Sequence, residues 1–232
     1  MSTFYEMYHE DEAFRESVKT LRTNIDFAGI DRPIRSVSVT SAIISEGKST
    51  VALALAAVVA ESGKSTIIVD NDFRHPQIEN RLMVRGTHTM SELFRETATI
   101  VDCCVPTKIR NLSVFATGGK RITNPTELLS STKYKEILSK LKDLYDFVVV
   151  DTPPLNLFVD AALVGTQVDG VLLTIGYGKS TESEVKDALG QLEKANANVL
   201  GAVFNGTAYN PTSYYGYYYG KQRDKKSFSR GR

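Results

Sequence analysis

Cysteine is close to absent: Cys103 and Cys104 are the only two in 232 residues. As neighbours in sequence they cannot staple distant segments, and no His or further Cys supplies metal-ligand spacing beside them. A disulfide scaffold and a zinc-type module are thereby excluded, and both thiols read as inert. Histidine is as sparse, and His9, His75 and His88 stand in no triad or metal-binding spacing. No apolar run approaches the roughly 20 residues needed to cross a bilayer. The opening stretch MSTFYEMYHEDEAF carries acids without a cationic-then-apolar pattern, so it does not read as a signal peptide. No Gly-x-Gly-x-x-Gly follows an apolar strand, which removes the fingerprint of a dinucleotide dehydrogenase. Charge of one sign is not in excess either, with 28 Lys+Arg against 27 Asp+Glu. These absences predict a cytoplasmic chain.

What is present is ordinary globular material, 42% hydrophobic and 24% charged, in an amount that suits one α/β domain. The balanced charge hides an asymmetry. From Thr207 onward the chain carries Lys221, Arg223, Lys225, Lys226, Arg230 and Arg232 against Asp224, so the end is +5 and residues 1–206 are −4. The same stretch holds Tyr209, Tyr214, Tyr215, Tyr217, Tyr218 and Tyr219, six of the eleven tyrosines, among Gly, Asn, Pro and Ser. With no apolar period it reads as a flexible basic tail, 207–232, on a folded body, 1–206.

Near the start, Phe14, Val18, Leu21 and Ile25 recur at helical steps, while Glu16, Lys19 and Arg22 fall on a different face. After the break from Gly29 to Pro33, strands and helices alternate. The pattern predicts strands at Ser36–Thr40, Thr66–Val69, Leu112–Phe115, Phe147–Val150, Gly170–Ile175 and Val199–Phe204. It predicts a buried helix over Lys48–Glu61, a helix from Pro125 to about Leu141, and a helix opened by a Thr181/Glu184 capping box. Residues 76–110 read as two short helices and loops. Strands that are continuous apolar runs are buried on both faces. Repeated strand–helix units of that kind predict a doubly wound, mostly parallel sheet with ligands beyond the carboxyl ends of its strands.

The chemistry-bearing residues sit at those ends. Ala42 to Thr50 fits the P-loop spacing G-x-x-x-x-G-K-[ST], with Ala42 in the first Gly's place. Backbone N–H groups of such a loop point at phosphates, Gly47 permits close approach, Lys48 neutralises charge, and the Ser49 hydroxyl can ligate Mg²⁺. Ser45 and Glu46 complete the predicted nucleotide-binding loop. Asp70 and Asp72 follow the second strand. They would share a face if the strand continued that far, one holding Mg²⁺ and the other orienting or deprotonating a hydroxyl. Asp151 closes Phe147–Val150 as a Walker B acid does. Each could alternatively be a polar strand-end turn.

The set resembles the bacterial tyrosine kinases of the separate cytosolic Gram-positive type, built on the deviant P-loop fold shared with MinD and ParA. The resemblance rests on Ala42–Thr50, on the Asp-bearing Walker A′ segment Ile67–Pro76, and on Val148–Pro154. Asn124 to Leu129, Gly201 to Asn205 and the terminal tyrosines also carry it. It implies an ATP-dependent protein-tyrosine kinase with Mg²⁺, in which Lys48, Asp70 and Asp72 are catalytic. Ser49, Asp72 and Asp151 would hold the metal, Asp70 would meet the incoming tyrosine hydroxyl, and Thr50 would touch an inner phosphate. The tail tyrosines would be acceptors, delivered from a neighbouring subunit. It further implies regulation of capsular or extracellular polysaccharide synthesis and export, and activation at the inner face of the membrane by a transmembrane partner's cytosolic segment. Glu16, Lys19 and Arg22 match its ring-forming E-x-x-R-x-x-R motif with Lys in the middle place, and Lys cannot reproduce a bidentate guanidinium contact. The family's usual Pro and Gly are replaced by Ile44 and Ser45, and the MinD/ParA signature lysine is absent near Ile43. An ATPase switch or a nucleotide-binding scaffold remain as alternatives. A nucleic-acid role for the tail is disfavoured by the acidic body.

Overall fold

The computed structural model describes residues 4–118 and 124–207. Among them, one seven-stranded sheet has the order β3-β4-β2-β5-β1-β6-β7. Its strands are β1 (Ser36–Ser41), β2 (Thr66–Asp70), β3 (Cys104–Pro106), β4 (Leu112–Phe115), β5 (Phe147–Asp151), β6 (Gly170–Gly176) and β7 (Val199–Asn205). All pairings are parallel except β3 with β4. The three central strands, β2, β5 and β1, are buried at every position, as the apolar runs of β2 and β5 require, whereas β1 also buries the hydroxyls of Ser36, Ser38, Thr40 and Ser41.

Alternation along these strands sorts side chains between two cores. Val37, Val39, Ile68 and Val149 face α3 (Lys48–Glu61), with α1 (Phe4–Glu10) and α2 (Glu12–Ala28) outside it. Ile67, Val69, Val148 and Val150 face the other layer. That layer holds α6 (Pro125–Ser130), α7 (Thr132–Leu144), α8 (Asp160–Gly165) and α9 (Glu182–Lys194). Helix α3 is buried from Val51 through Ala60 because it is covered by the sheet on one side and α2 on the other. Val18 and Ile25 of α2 are buried against it, with Phe14 and Leu21 packed alongside.

Several expectations need correction. The segment 1–30 reads as one oligomerisation helix, but its described part forms two, α1 and α2, broken at Asp11, whose side chain accepts the Phe14 N–H at 2.9 Å. The predicted helix from Pro125 is also two. Ser131 is extended there (ψ 151°), and its hydroxyl accepts the Tyr134 N–H, restarting the helix as α7. A hydroxyl that offers the backbone an alternative partner competes with helix continuation. Residues 76–110 hold α4 (Ile78–Arg81) and α5 (Met90–Phe94), but also a 3₁₀ turn and the edge strand β3. Strand β2 ends at Asp70, so Asp72 lies in the following loop rather than on a shared strand face. Cys103 is buried, and burial pushes its thiol up to about 11. Among the described residues, no helix is long and apolar enough to cross a membrane. The tail tyrosines 209, 214, 215, 217, 218 and 219 lie outside the described residues.

Candidate active site

The strand order sets the site. Strand β5 lies between β1 and β2, and Asp70 and Asp151 are register partners at the carboxyl ends of their strands. The P-loop leaves β1 beside them and turns into α3.

The loop is held by its neighbours. Ala42 is fully buried in the core facing α6–α9, so its methyl occupies apolar space where the usual motif has Gly. Gly47 caps α3 at φ +90°, and a Cβ there would stand 1.9 Å from Asn205 Nδ2. That amide donates to the Glu46 carbonyl at 2.9 Å. The Glu46 carboxylate is buried and turned away from the phosphate cradle. It accepts the Ile43 N–H at 2.9 Å, the Gly176 N–H at 3.0 Å and the Ser180 hydroxyl at 2.7 Å. Only the backbone of Glu46 remains to face a phosphate. Ser45 is exposed at φ +62°, a left-handed conformation that glycine adopts without strain.

The charged groups converge on Lys48. Its Nζ lies 2.8 Å from Asp72 Oδ2, 3.8 Å from Asp151 Oδ1 and 3.2 Å from Ser49 Oγ. Burial works against its charge, but Asp151, Asp72 and Asp70 together hold the ammonium above its ordinary pKa. Burial raises Asp151 as well, against the opposing pull of Lys48 and the Ser49 hydroxyl. Asp70 is pushed up to about 7, by burial first and then by the Asp151 charge. Its Oδ1 accepts the Asp72 N–H at 3.1 Å, and its Oδ2 accepts Gln77 N–H at 2.7 Å and Ile78 N–H at 2.9 Å. The Asp70 carboxylate therefore fixes the start of α4. A carboxylate has roughly four acceptor positions, so one remains open.

The donor set fits magnesium. Asp151 Oδ1 is buried without a hydrogen-bond partner, an acceptor directed toward Lys48 and Ser49. No group of three or more His, Cys, Asp or Glu forms a ready-made metal cage among the described residues. Mg²⁺ suits such a sparse set, since it keeps waters and takes one or two protein oxygens plus substrate phosphates.

Supporting contacts were not legible from spacing. Arg74 donates to buried Asp160 at 3.1 Å and lies 4.0 Å above the Phe158 ring, while Thr126 Oγ1 donates to the same carboxylate at 2.8 Å. Asn71, between the two loop acids, is hydrogen-bonded to buried Tyr134. Glu16, Lys19 and Arg22 stand on α2, near the start of the chain. There Lys19 pairs with Glu16 at 2.6 Å and Arg22 with Asp26 at 3.9 Å, both within the helix.

A protein-family profile described as an AAA domain matches residues 35–199. The tyrosine-protein kinase YwqD of Bacillus subtilis is 36% identical over 203 residues, which cover 88% of this chain and 85% of that protein. The putative tyrosine-protein kinase CapB of Staphylococcus aureus is 35% identical, covering 95% of this chain and 97% of the relative. The kinase domain of Escherichia coli tyrosine kinase ETK superposes with a TM-score of 0.81 at 32% identity, covering 89% of this chain and 83% of that one. MinD of Pyrococcus horikoshii, complexed with Mg-ADP, shares the fold at 22% identity and a TM-score of 0.63.

Proposed function

The chain belongs to the bacterial tyrosine-protein kinases, and on that footing we propose how its residues divide the work. The loop from Ala42 to Thr50 takes the phosphates of ATP through its backbone N–H groups. Lys48 balances charge on the outer phosphates. Ser49, Asp72 and Asp151 would hold Mg²⁺, which when bound would offset phosphate charge. Asp70 accepts the proton of the incoming tyrosine hydroxyl as the phenolic oxygen–phosphorus bond forms and the bond to ADP breaks. An acid raised to about 7 can exchange a proton near neutral pH. The observation that carries this reading is Lys48 Nζ lying 2.8 Å from Asp72, in the loop after β2, and 3.8 Å from Asp151, at the end of neighbouring β5.

The acceptors are Tyr209, Tyr214, Tyr215, Tyr217, Tyr218 and Tyr219, presented by a neighbouring copy in a homo-oligomer assembled through the α2 charges. Each phosphate adds about −1.5 to −2 charge, so a few reverse the +5 of the tail. Membrane placement and activation come from the cytosolic segment of a transmembrane partner, and the cycle regulates export of a surface polysaccharide. Incubation of the full chain and an activator fragment with Mg·ATP, followed by phosphosite mapping, tests this. Phosphate on residues 209–219 that disappears in Lys48→Met is the expected result. Phosphorylation that persists in Lys48→Met, or ATP turnover that leaves every tyrosine unmodified, overturns the assignment.

A further inference from the structure

Helix α4 ends on Arg81, a residue that no motif picks out. The helix is short, yet both its flanks are tied. The Asp70 carboxylate holds the Gln77 and Ile78 N–H groups at 2.7 and 2.9 Å. Glu79, next to Ile78, is buried and accepts the N–H groups of Thr117 and Gly118 at 2.9 Å each, anchoring α4 to the segment after β4. A helix pinned in this way presents its remaining side chain in one direction, and that direction is back toward the P-loop. Arg81 Nη1 donates to Thr50 Oγ1 at 2.9 Å, and Nε donates to Gln77 Oε1 at 3.2 Å. Among the described residues, no carboxylate lies within ion-pair distance of Arg81, in contrast to Lys48 and Arg74.

A hydroxyl has one proton to donate and lone pairs with which to accept. While Thr50 Oγ1 accepts from Arg81, its own proton is free for another acceptor, and the cationic donor strengthens that second bond. Thr50 stands at the start of α3, where the helix and loop N–H groups converge on phosphate. We propose that Arg81 is a nucleotide-positioning residue: it orients the Thr50 hydroxyl toward a phosphate oxygen of the bound nucleotide and places an unneutralised positive charge beside it. This rests on the reading that the loop from Ala42 to Thr50 binds nucleotide phosphates.

The test uses the full chain, with MgADP affinity by calorimetry and the KM for ATP and kcat in tyrosine phosphorylation. About 1.4 kcal/mol is tenfold in affinity, the scale of losing one cation-assisted hydrogen bond. Arg81→Gln is therefore expected to weaken MgADP and raise the KM for ATP about tenfold, with kcat within about twofold. Arg81→Lys, which keeps the charge, is expected to lose about threefold, and it carries the test should Arg81→Gln fail to fold. In a Thr50→Val background the Arg81→Gln effect should shrink below about threefold, because the group through which it acts is gone. Unchanged affinity in Arg81→Gln, a loss confined to kcat, or an equal loss with Thr50→Val overturns the proposal. Lys48→Met separates the two levels. If it binds MgADP as the wild type does, the loop reading itself fails and takes the Arg81 proposal with it. If it loses binding while Arg81→Gln does not, only the Arg81 proposal fails.

Discussion

Alanine at Gly47 tests the packing that shapes the P-loop. Gly47 sits at φ +90°, where an L side chain costs about 1–2 kcal/mol. The added Cβ would also stand 1.9 Å from Asn205 Nδ2 and 3.1 Å from its Cγ. Asn205 must then swing away from the Glu46 carbonyl to which it donates at 2.9 Å, and that lost bond is worth about 1 kcal/mol. Gly47→Ala is thus expected to lose about 2–3 kcal/mol of stability in the nucleotide-free protein, read from urea unfolding. Asn205→Ala alone should lose about 1 kcal/mol. In the double variant the bond is already absent and the new methyl meets nothing, so its loss should equal that of Gly47→Ala alone. The cycle then shows a coupling of about 1 kcal/mol, well above the roughly 0.3–0.5 kcal/mol scatter of independent sites. Strictly additive losses would refute the claim that one collision and one hydrogen bond share the Asn205 amide. MgADP affinity should follow the same pattern, since the loop that moves is the one proposed to face the phosphates.

Ser45→Gly should stabilise the chain by up to about 1 kcal/mol. It relieves a left-handed residue at φ +62° worth about 1–2 kcal/mol, against about 0.4–1 kcal/mol of added unfolded-chain entropy, and a lowered Tm would count against it. Glu46→Ala strands the Ile43 and Gly176 N–H groups, at about 1–3 kcal/mol for each unsatisfied buried donor. It should lower the urea midpoint and speed amide exchange at Gly176, and unaltered protection there would sink the clamp. Asp169 accepts Arg35 N–H, Ser36 N–H and the Ser36 hydroxyl at 2.9 Å each. Burial alone would lift its carboxyl, but these donors and Lys142 hold it below the usual range. Its contribution is therefore complete above the unfolded carboxylate pKa and lost as pH falls through the lower folded value. The deficit of Asp169→Asn should be largest near neutrality and close below about pH 3, whereas a deficit constant from pH 7 to 3 would contradict the assignment.

Strands β2 and β5 were legible because burial on both faces leaves them nearly continuous apolar runs, and Lys48–Glu61 was legible because its apolar surface is continuous. Short elements escaped for the converse reason. Helix α8 has six residues and β3 has three, fewer than a period needs to declare itself. The break at Ser131 is made by one hydroxyl, which composition alone does not distinguish from an ordinary helical serine. In the site, spacing places Lys48, Asp70, Asp72 and Asp151 after strands but is silent on which strands are neighbours. That Asp70 faces Asp151 in register follows from β5 lying beside β2, a tertiary fact. Glu46 was read as part of the nucleotide loop, whereas its side chain serves Gly176 and Ser180, some 130 residues on in the chain. Asn205 and Arg81 were missed as loop partners because their contacts cross from β7 and α4, where sequence distance carries no signal.

These cross-chain contacts also explain how so many like charges remain together. Asp70, Asp72 and Asp151 meet one ammonium, and burial raises both Asp70 and Asp151, so the cluster is not electrostatically satisfied by itself. An uncompensated buried acid ordinarily escapes by moving toward water or taking a proton. Here Asp70 cannot move without releasing the start of α4. Asp151 cannot move because β5 is paired on both sides. Rigid neighbours thus hold three acids against one ammonium, an arrangement whose charge an added cation would balance. Glu46, Asn205 and Glu79 supply that rigidity around the charged cluster, each through a contact that reaches another element or the loop beside it.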